Sequence, residues 1–164
     1  MPPWTSSKSK QNLVQISATQ SANKNHILKA ITDAVSEVQY QYRNSGETLP
    51  SNDITTRLCT ALEAVFIHGL KETFLGRLSS RFSDGGVASP RMPEPSFWTF
   101  ALVFSHKEVI GQIESLKQIN TDVGRSRTWL RLALNDGLLL SYLSAMISDK
   151  VSLAVHYEKF AFLR

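Results

Sequence analysis

Cysteine is almost absent from this chain of 164 residues, in which Cys59 is the only one. A single cysteine excludes an internal disulfide and any metal site built on paired cysteines, and it is typical of a reducing compartment. The sequence also lacks an apolar run of the roughly 20 residues that cross a bilayer, and its N-terminus lacks the apolar segment of a secretory signal. We therefore expect a cytoplasmic protein without a transmembrane segment.

Sequence signatures of catalysis and metal binding are also missing. There is no P-loop, no GxSxG elbow and no HExxH pair, and no two histidines are four residues apart. The histidines are His26, His68, His106 and His156. Cys59 lies between Leu58 and Leu62 in a predicted helix, where a buried, inert thiol is the favoured interpretation over a nucleophile. We expect no enzyme, no bound metal and no cofactor.

The composition is that of a globular domain. Hydrophobic residues make up 42% of the chain and charged residues 20%, which separates it from disordered and membrane-spanning sequences. The formal net charge is +4, with a pI near 9.3. This mild basic excess suits an acidic protein surface, an anionic membrane or a nucleic acid, and it does not choose among them.

Apolar residues recur at three- and four-residue steps through most of the chain, and no convincing alternation of strand length occurs. The pattern predicts an all-α fold, a single globular bundle of six to eight helices without a second domain. We expect a disordered tail at residues 1–24, a folded domain at residues 25–164 and a flexible loop at residues 79–96, which is rich in Gly and Pro. Because the final FAFLR lacks a closing cap, we expect the natural domain to continue with another helix.

Several helix ends carry local signals. Asn52 or Ser51 can cap the helix that follows, and Thr121 or Asp122 can cap a later one. Ser105 and Glu108 have the S-x-x-E spacing of a capping box. The dense segment from Phe97 to Phe104 is apolar nearly all round, which predicts a short buried helix.

The segment NTDVGRSRTWLRLALNDG (120–137) places arginines at a helix start, where the positive end of the helix dipole disfavours them. At 100° per residue, Arg127 and Arg131 share the exposed arc, and Arg125 projects near the Trp129 stripe. One interpretation is a solvated face, with Arg125 over Trp129 in a cation–π contact. The alternative is a basic edge for an acidic partner, since guanidinium groups bind carboxylates in pairs of hydrogen bonds.

Four segments together resemble the RUN domain, an all-helical module, over roughly residues 25–164. They are LCTALEAVFIHGLKE (58–72), PSFWTFAL (95–102), INTDVGRSRTWLRLALNDGLLLSYL (119–143) and HYEKFAFLR (156–164). The sequence of these segments is most similar to that of the N-terminal RUN domain of the pleckstrin-homology-domain-containing family M lysosomal adaptors, above all their first member. The further modules of those full-length adaptors are missing here, so we interpret the chain as a fragment, a short isoform or an incomplete gene model.

The resemblance implies a non-catalytic effector that binds a GTP-loaded small GTPase of the Rab or Arf-like group, including the lysosomal Arf-like GTPase. It implies recruitment to late endosomes, lysosomes and autophagosomes, with tethering machinery engaged through the full-length adaptor. In the similar adaptors, the histidine of the HGL motif and two arginines of a GR-x-R motif support GTPase binding, and these match His68, Arg125 and Arg127. Lys71 and Arg131 are added as flanking contacts on position alone.

Three rival functions remain open from the sequence. A plain helical interaction module, binding a kinesin or a tether, would need no GTPase and could use the loop at 79–96. A basic binder of nucleic acid or anionic membrane is weaker, because the aromatics lie in apolar stripes rather than on an exposed basic surface, and we expect no nucleic-acid partner. A hydrolase would need a triad that folding alone could assemble.

Overall fold

A computed structural model of the chain describes residues 5–43, 49–71 and 95–164, with side chains from residue 15 onward. These residues form seven helices, which confirms the all-α prediction. The helices are α1 Thr5–Tyr42, α2 Asp53–Ile67, α3 Trp98–Phe104, α4 Lys107–Glu114, α5 Asp122–Asn135, α6 Leu139–Ser148 and α7 Lys150–His156. The predicted loop at 79–96 lies outside the described residues except for its last two positions.

The first helix is longer than the periodicity predicts. The composition of residues 1–24 predicts a disordered tail, but α1 begins at Thr5 and continues without a break to Tyr42. This corrects the prediction for residues 5–24. The lack of an apolar stripe in this segment argues against its burial, but it does not argue against a helix. Residues 5–42 also contain neither Gly nor Pro, the two residues that most disfavour a helix interior. The side chains from Gln15 to His26 are mostly exposed.

Two predicted caps are confirmed. The Asn52 side chain accepts a hydrogen bond from the Thr55 N–H at 3.1 Å, and the Thr55 hydroxyl accepts one from the Asn52 N–H at 3.2 Å. Two of the backbone N–H groups at the start of α2 are thereby satisfied. The Thr121 hydroxyl likewise accepts from the Gly124 N–H at 3.1 Å and begins α5.

The predicted capping box of Ser105 and Glu108 is wrong. Helix α4 begins one residue later, and the Nδ1 atom of His106 accepts a hydrogen bond from the Glu108 N–H at 3.3 Å. Ser105 has a different role, because its hydroxyl accepts a 2.7 Å hydrogen bond from the indole N–H of Trp129. The indole is buried, so its N–H needs a partner inside the fold.

The core lies where α2, α3, α5 and the segment after α7 meet. The rings of Phe66 and Phe97 stack with centroids 4.5 Å apart, and Trp129 meets both rings edge-on at 5.8 and 6.0 Å. Tyr157 is fully buried, and its hydroxyl donates a 2.7 Å hydrogen bond to the Phe66 carbonyl. These contacts fix α5 and the end of α2 relative to each other, and the predicted site residues lie on both.

One isolated antiparallel bridge pairs Leu70 with Tyr157, beyond the ends of α2 and α7. Within the three described ranges, no single helix has the length and apolar composition to cross a membrane. Helices α5 and α6 together meet that test, by length and composition only, and they are bent by 114° at their junction.

Candidate functional site

The HGL motif forms the turn that ends α2. His68 is the C-cap residue of α2, and its backbone N–H donates a hydrogen bond to the Ala64 carbonyl at 3.0 Å. Gly69 follows with φ +75°, a conformation that residues with a Cβ rarely adopt. A Cβ on Gly69 would also lie 2.6 Å from the Ala161 Cα. Leu70 then enters the core. Gly69 and Leu70 therefore have structural roles in the turn and the core, whereas His68 is only partly buried.

The His68 ring is partly buried and lacks one polar contact. It meets the ring of Phe160 edge-on, with centroids 5.8 Å apart. Its Nδ1 atom is buried and makes no hydrogen bond. Burial, and then the positive charge of Lys24 on α1, lower the His68 pKa below its usual 6.5. The ring is therefore mainly neutral near pH 7, with one donor and one acceptor nitrogen.

The start of α5 explains how arginines are tolerated there. Asp122 lies in the first turn, where a negative charge is favoured by the helix dipole. Its carboxylate accepts a 2.8 Å hydrogen bond from the guanidinium of Arg125, three residues later. The Nε atom of Arg125 is buried without a partner. Arg125 is thus paired with Asp122 and does not take the cation–π role expected beside Trp129, although its i,i+3 spacing from Asp122 was a readable signal.

Arg127 joins α5 to α2. Its Nε donates to both carboxylate oxygens of Glu63 at 3.0 Å, and Glu63 is 9% exposed. The Arg127 side chain itself remains 52% exposed. The interpretation of Arg127 as part of a solvated face holds in part: the residue is exposed, but it is also paired with an acid on α2 that the helical wheel could not show. Glu63 is the residue that the sequence reasoning missed. Its signal was a lone acid inside the apolar segment ALEAVFI.

The two flanking cations are engaged within the fold. The Nζ of Lys71 donates a 2.6 Å hydrogen bond to the Ala154 carbonyl in α7. Arg131 reaches the hydroxyls of Ser51 and Thr56 at 3.5 and 3.3 Å. Nearby Cys59 is a free, half-buried thiol whose pKa is raised by burial, which agrees with an inert role.

A groove of about 510 Å³ brings part of the predicted site together. It lies against α1 and α2, and His68, Arg127 and Glu63 all line it. Its apolar lining includes Ile27 and Ala64. Arg125, Lys71 and Arg131 do not line this groove. Of the predicted set, the structure therefore groups His68 with Arg127 and leaves Arg125 apart.

Metal chemistry finds no support among the residues that the structure describes, where no three metal-ligating side chains of His, Cys, Asp or Glu converge. The groove combines an ion-paired guanidinium, a mainly neutral imidazole and apolar surface.

Comparison with known proteins gives a consistent picture. The family model described as the RUN domain matches residues 57–164, which is more than half of the chain. The chain is 29% identical over 140 residues, or 83% of its length, to human pleckstrin homology domain-containing family M member 2. It is 32% identical over 118 residues, or 70% of its length, to human Protein RUFY3. The chain spans 12% and 23% of the lengths of these two relatives.

Proposed function

Because the chain belongs to the RUN domain family, we propose that it is a non-catalytic effector module that binds a GTP-loaded Arf-like or Rab small GTPase. The observation that carries the proposal is the shared groove of His68 and Arg127. These residues come from different helices, 59 positions apart in sequence (127 − 68). Their convergence on one accessible surface is what a protein-binding site requires.

Arg127 is the proposed electrostatic anchor. Glu63 holds its Nε, so the guanidinium is oriented before a partner arrives, and less side-chain entropy is lost on binding. A carboxylate or carbonyl on the switch surface of the GTPase would complete the contact. Discrimination between nucleotides then follows from the switch conformation, since the module must bind one state better than the other.

Arg125 receives a secondary role in this proposal. Its guanidinium is held by Asp122, and its side chain is 26% exposed. Both arginines are ion-paired within the fold, but the Arg127 side chain is 52% exposed and so offers more surface to a partner. We therefore expect Arg125 to stabilise the start of α5 and to contribute less to the partner contact than Arg127. Lys71 and Arg131 are expected to contribute least, since both are held by groups of the fold.

We propose a setting at late endosomal, lysosomal and autophagosomal membranes, reached through the GTPase. The support is the likeness to family M member 2 together with the sequence resemblance to the lysosomal adaptors of that family. Contact with tethering machinery belongs in this proposal to the full-length adaptor.

The test is a binding assay with a panel of purified Arf-like, Rab and Rap GTPases, each loaded with GDP or a non-hydrolysable GTP analogue. We expect the chain to bind at least one GTPase of the panel in its GTP state. The His68→Ala, Arg127→Ala double variant should bind that GTPase at least tenfold more weakly, which corresponds to about 1.4 kcal/mol. Arg125→Ala should weaken binding less. Equal binding of both nucleotide states, or a folded double variant that binds normally, would contradict the proposal.

One observation favours a second candidate, a helical interaction module that uses α6 and α7. Leu140 on α6 is 76% exposed, and Val151 and Val155, which are one turn apart on α7, are 75% and 52% exposed. If this surface carries the function, the Leu140→Asp, Val151→Asp variant should lose its partner in co-purification, whereas GTPase binding through His68 and Arg127 should survive it.

A further inference from the structure

Helix α1 extends far beyond the helix on which it chiefly packs, α2. Asn23 of α1 lines the groove together with His68, at the end of α2. Glu37 of α1 is paired with Arg57, near the start of α2. The two helices are therefore antiparallel, and the 18 residues of α1 from 5 to 22 (22 − 5 + 1) extend about 27 Å past His68. We call residues 5–22 the α1 overhang.

The α1 overhang gains little support from the part of the fold that the structure describes. The side chains of residues 15–19 are all exposed, and five consecutive positions cover every face of a helix. Ile16 is 54% exposed among them. No acid occurs from residue 5 to residue 32, so pairs of Glu and Lys cannot stabilise this part of the helix. Because a helix with neither burial nor ion pairs is marginal in water, a partner that covers it would add the missing stability.

The charge of this part of α1 has one sign. Residues 5–32 contain no acid and four lysines, which are Lys8, Lys10, Lys24 and Lys29. Lys24 and Lys29 make no ion pair with any residue in the described ranges. The charge of Lys24 acts on the ring of His68, so this uncompensated positive charge begins beside the groove. It differs from the charge of Arg127, which Glu63 already neutralises within the fold.

We propose that the α1 overhang is a second contact for the partner GTPase and lies against an acidic surface of that GTPase. The inference rests on the function proposed above and extends it. A GTPase seated at His68 and Arg127 lies beside the overhang, because α1 lines the same groove before it continues past it. The lysines without ion pairs select an acidic surface, since a basic surface would be repelled and a neutral one would leave them without a counterpart.

Three other occupants fit the overhang less well. The overhang of a second copy would bring two acid-free segments together, and like charges at such a contact are unfavourable. An anionic membrane needs an apolar helix face, but Ile16 is the only large apolar residue between positions 15 and 26. A single-stranded nucleic acid is bound through aromatic and arginine side chains, and residues 5–32 contain no Arg, Phe, Tyr or Trp.

Glutamine-to-glutamate changes test the charge without altering the shape. Gln15→Glu, Gln20→Glu should weaken the GTP-state complex about fivefold at low salt and less at high salt. The matched control is Gln39→Glu, Gln112→Glu, at exposed positions near the other end of α1 and on α4, and it should bind within about twofold of the wild type. A glutamate at position 20 lies four residues before Lys24, a spacing that stabilises a helix, so a weaker complex would report the charge. The readout is the Kd of the full chain for the GTPase that binds in the panel.

A proline inside the overhang tests the need for a helix there. Proline removes a backbone hydrogen bond and clashes with the carbonyl four residues before it. We expect Thr19→Pro to weaken the complex about fivefold or more, with a nearly unchanged melting temperature because residues 15–19 are exposed. Thr19→Ala is the control, since it removes only a hydroxyl that donates to the Gln15 carbonyl. Amide hydrogen exchange at residues 15–22 should also slow in the complex. If Thr19→Pro unfolds the chain, the glutamate variant decides alone.

The outcomes separate the overhang from the function. If the glutamate variant and a folded proline variant bind like the wild type while the His68→Ala, Arg127→Ala variant does not, the overhang contact is overturned and GTPase binding stands. A loss with the proline variant alone also overturns the proposal, because the contact would not be acidic. If the wild-type chain binds no GTPase of the panel, both fail. If the glutamate variant instead abolishes binding to vesicles of phosphatidylserine and phosphatidylcholine at unchanged GTPase affinity, the overhang contacts membranes and the proposal is again overturned.

Discussion

Helix α2 has two sides that are built differently. The side facing α3 and α5 is closed, with Phe66 packed between Phe97 and Trp129 and all three rings at most 1% exposed. The side facing α1 is open, with Ala64 and Ile67 only partly covered along the groove. We call these the aromatic core and the α1 groove. The aromatic core holds α2 and α5 in register, and the α1 groove presents their polar groups.

We infer from this difference that the aromatic core side of α2 provides stability and that the α1 groove side provides recognition. Changes in the aromatic core should lower the free energy of unfolding and should affect binding only through the folded fraction. Changes in the α1 groove should lower affinity and leave the free energy of unfolding nearly unchanged.

Trp129→Ala should destabilise the fold most. It removes a fully buried indole that contacts Phe66 and Phe97, and it leaves the Ser105 hydroxyl without its donor. We expect a loss of about 3–5 kcal/mol in the free energy of unfolding, measured by urea denaturation. Tyr40→Ala is the control, because Tyr40 is 86% exposed, and it should change stability by less than about 0.5 kcal/mol. A loss below about 1 kcal/mol at Trp129 would contradict the central place of this core.

Gly69→Ala tests the turn at the end of α2, between His68 at the α1 groove and Leu70 in the core. The substitution imposes a Cβ at φ +75° and 2.6 Å from the backbone of Ala161, so we expect a loss on the order of 1–3 kcal/mol. Gly111→Ala offers the opposite case, because that glycine lies inside α4 with no atom within 4 Å of the added Cβ. It should gain roughly 0.5–1 kcal/mol. Similar effects at both glycines would show that the turn is not strained.

Much of this architecture was readable from local patterns. The caps at Asn52 and Thr121 depend on residues within a few positions, so their geometry follows from spacing alone. The short helix that begins at Trp98 was predicted too, but it is buried on one side only, since Val103 is 51% exposed. The tail was misjudged at residues 5–24 because composition reports burial better than it reports helix formation. The Ser105 cap was misjudged because a distant indole, 24 residues away, needs that hydroxyl.

The grouping of the site residues could not be read in the same way. Arg127 and Glu63 are 64 residues apart, and their contact depends on which face of α2 packs on α5. The sequence resemblance named His68, Arg125 and Arg127 together. The helical wheel placed Arg125 and Arg127 on different faces of α5, but it could not show which of them lies beside His68. Tertiary packing decides this, because it brings His68 and Arg127 to the α1 groove. It is the reason for treating the two arginines as unequal.

The Glu63–Arg127 pair should stabilise the fold modestly. Glu63 is largely buried, but Arg127 is half exposed, so water and salt screen the interaction. A double-mutant cycle with Glu63→Gln and Arg127→Gln should give a coupling of about 0.5–1 kcal/mol that falls as NaCl is added. The Arg57–Glu37 pair is the control, because both side chains are more exposed, and its coupling should be smaller. Equal couplings would mean that Glu63 does not hold Arg127 in place.

The smallest effect concerns the pH dependence of stability at His68. Its pKa in the folded chain lies below the ordinary 6.5, so the unfolded chain binds more protons between the two values. His68 therefore adds stability above its unfolded pKa, and that stability is lost as the pH falls through the folded pKa. The melting temperature of the wild type should fall between pH 7.5 and 5.0 more steeply than that of His68→Gln.

Lys24→Gln then separates the two causes of the shift, followed by titration of the His68 ring in NMR spectra. Removing the positive charge should raise the His68 pKa, but the value should stay below 6.5, because burial is the larger cause. A return to the ordinary value would assign the whole shift to Lys24 and would place the ring in water. The α1 groove would then lack the buried, unpartnered nitrogen that distinguishes it from the aromatic core.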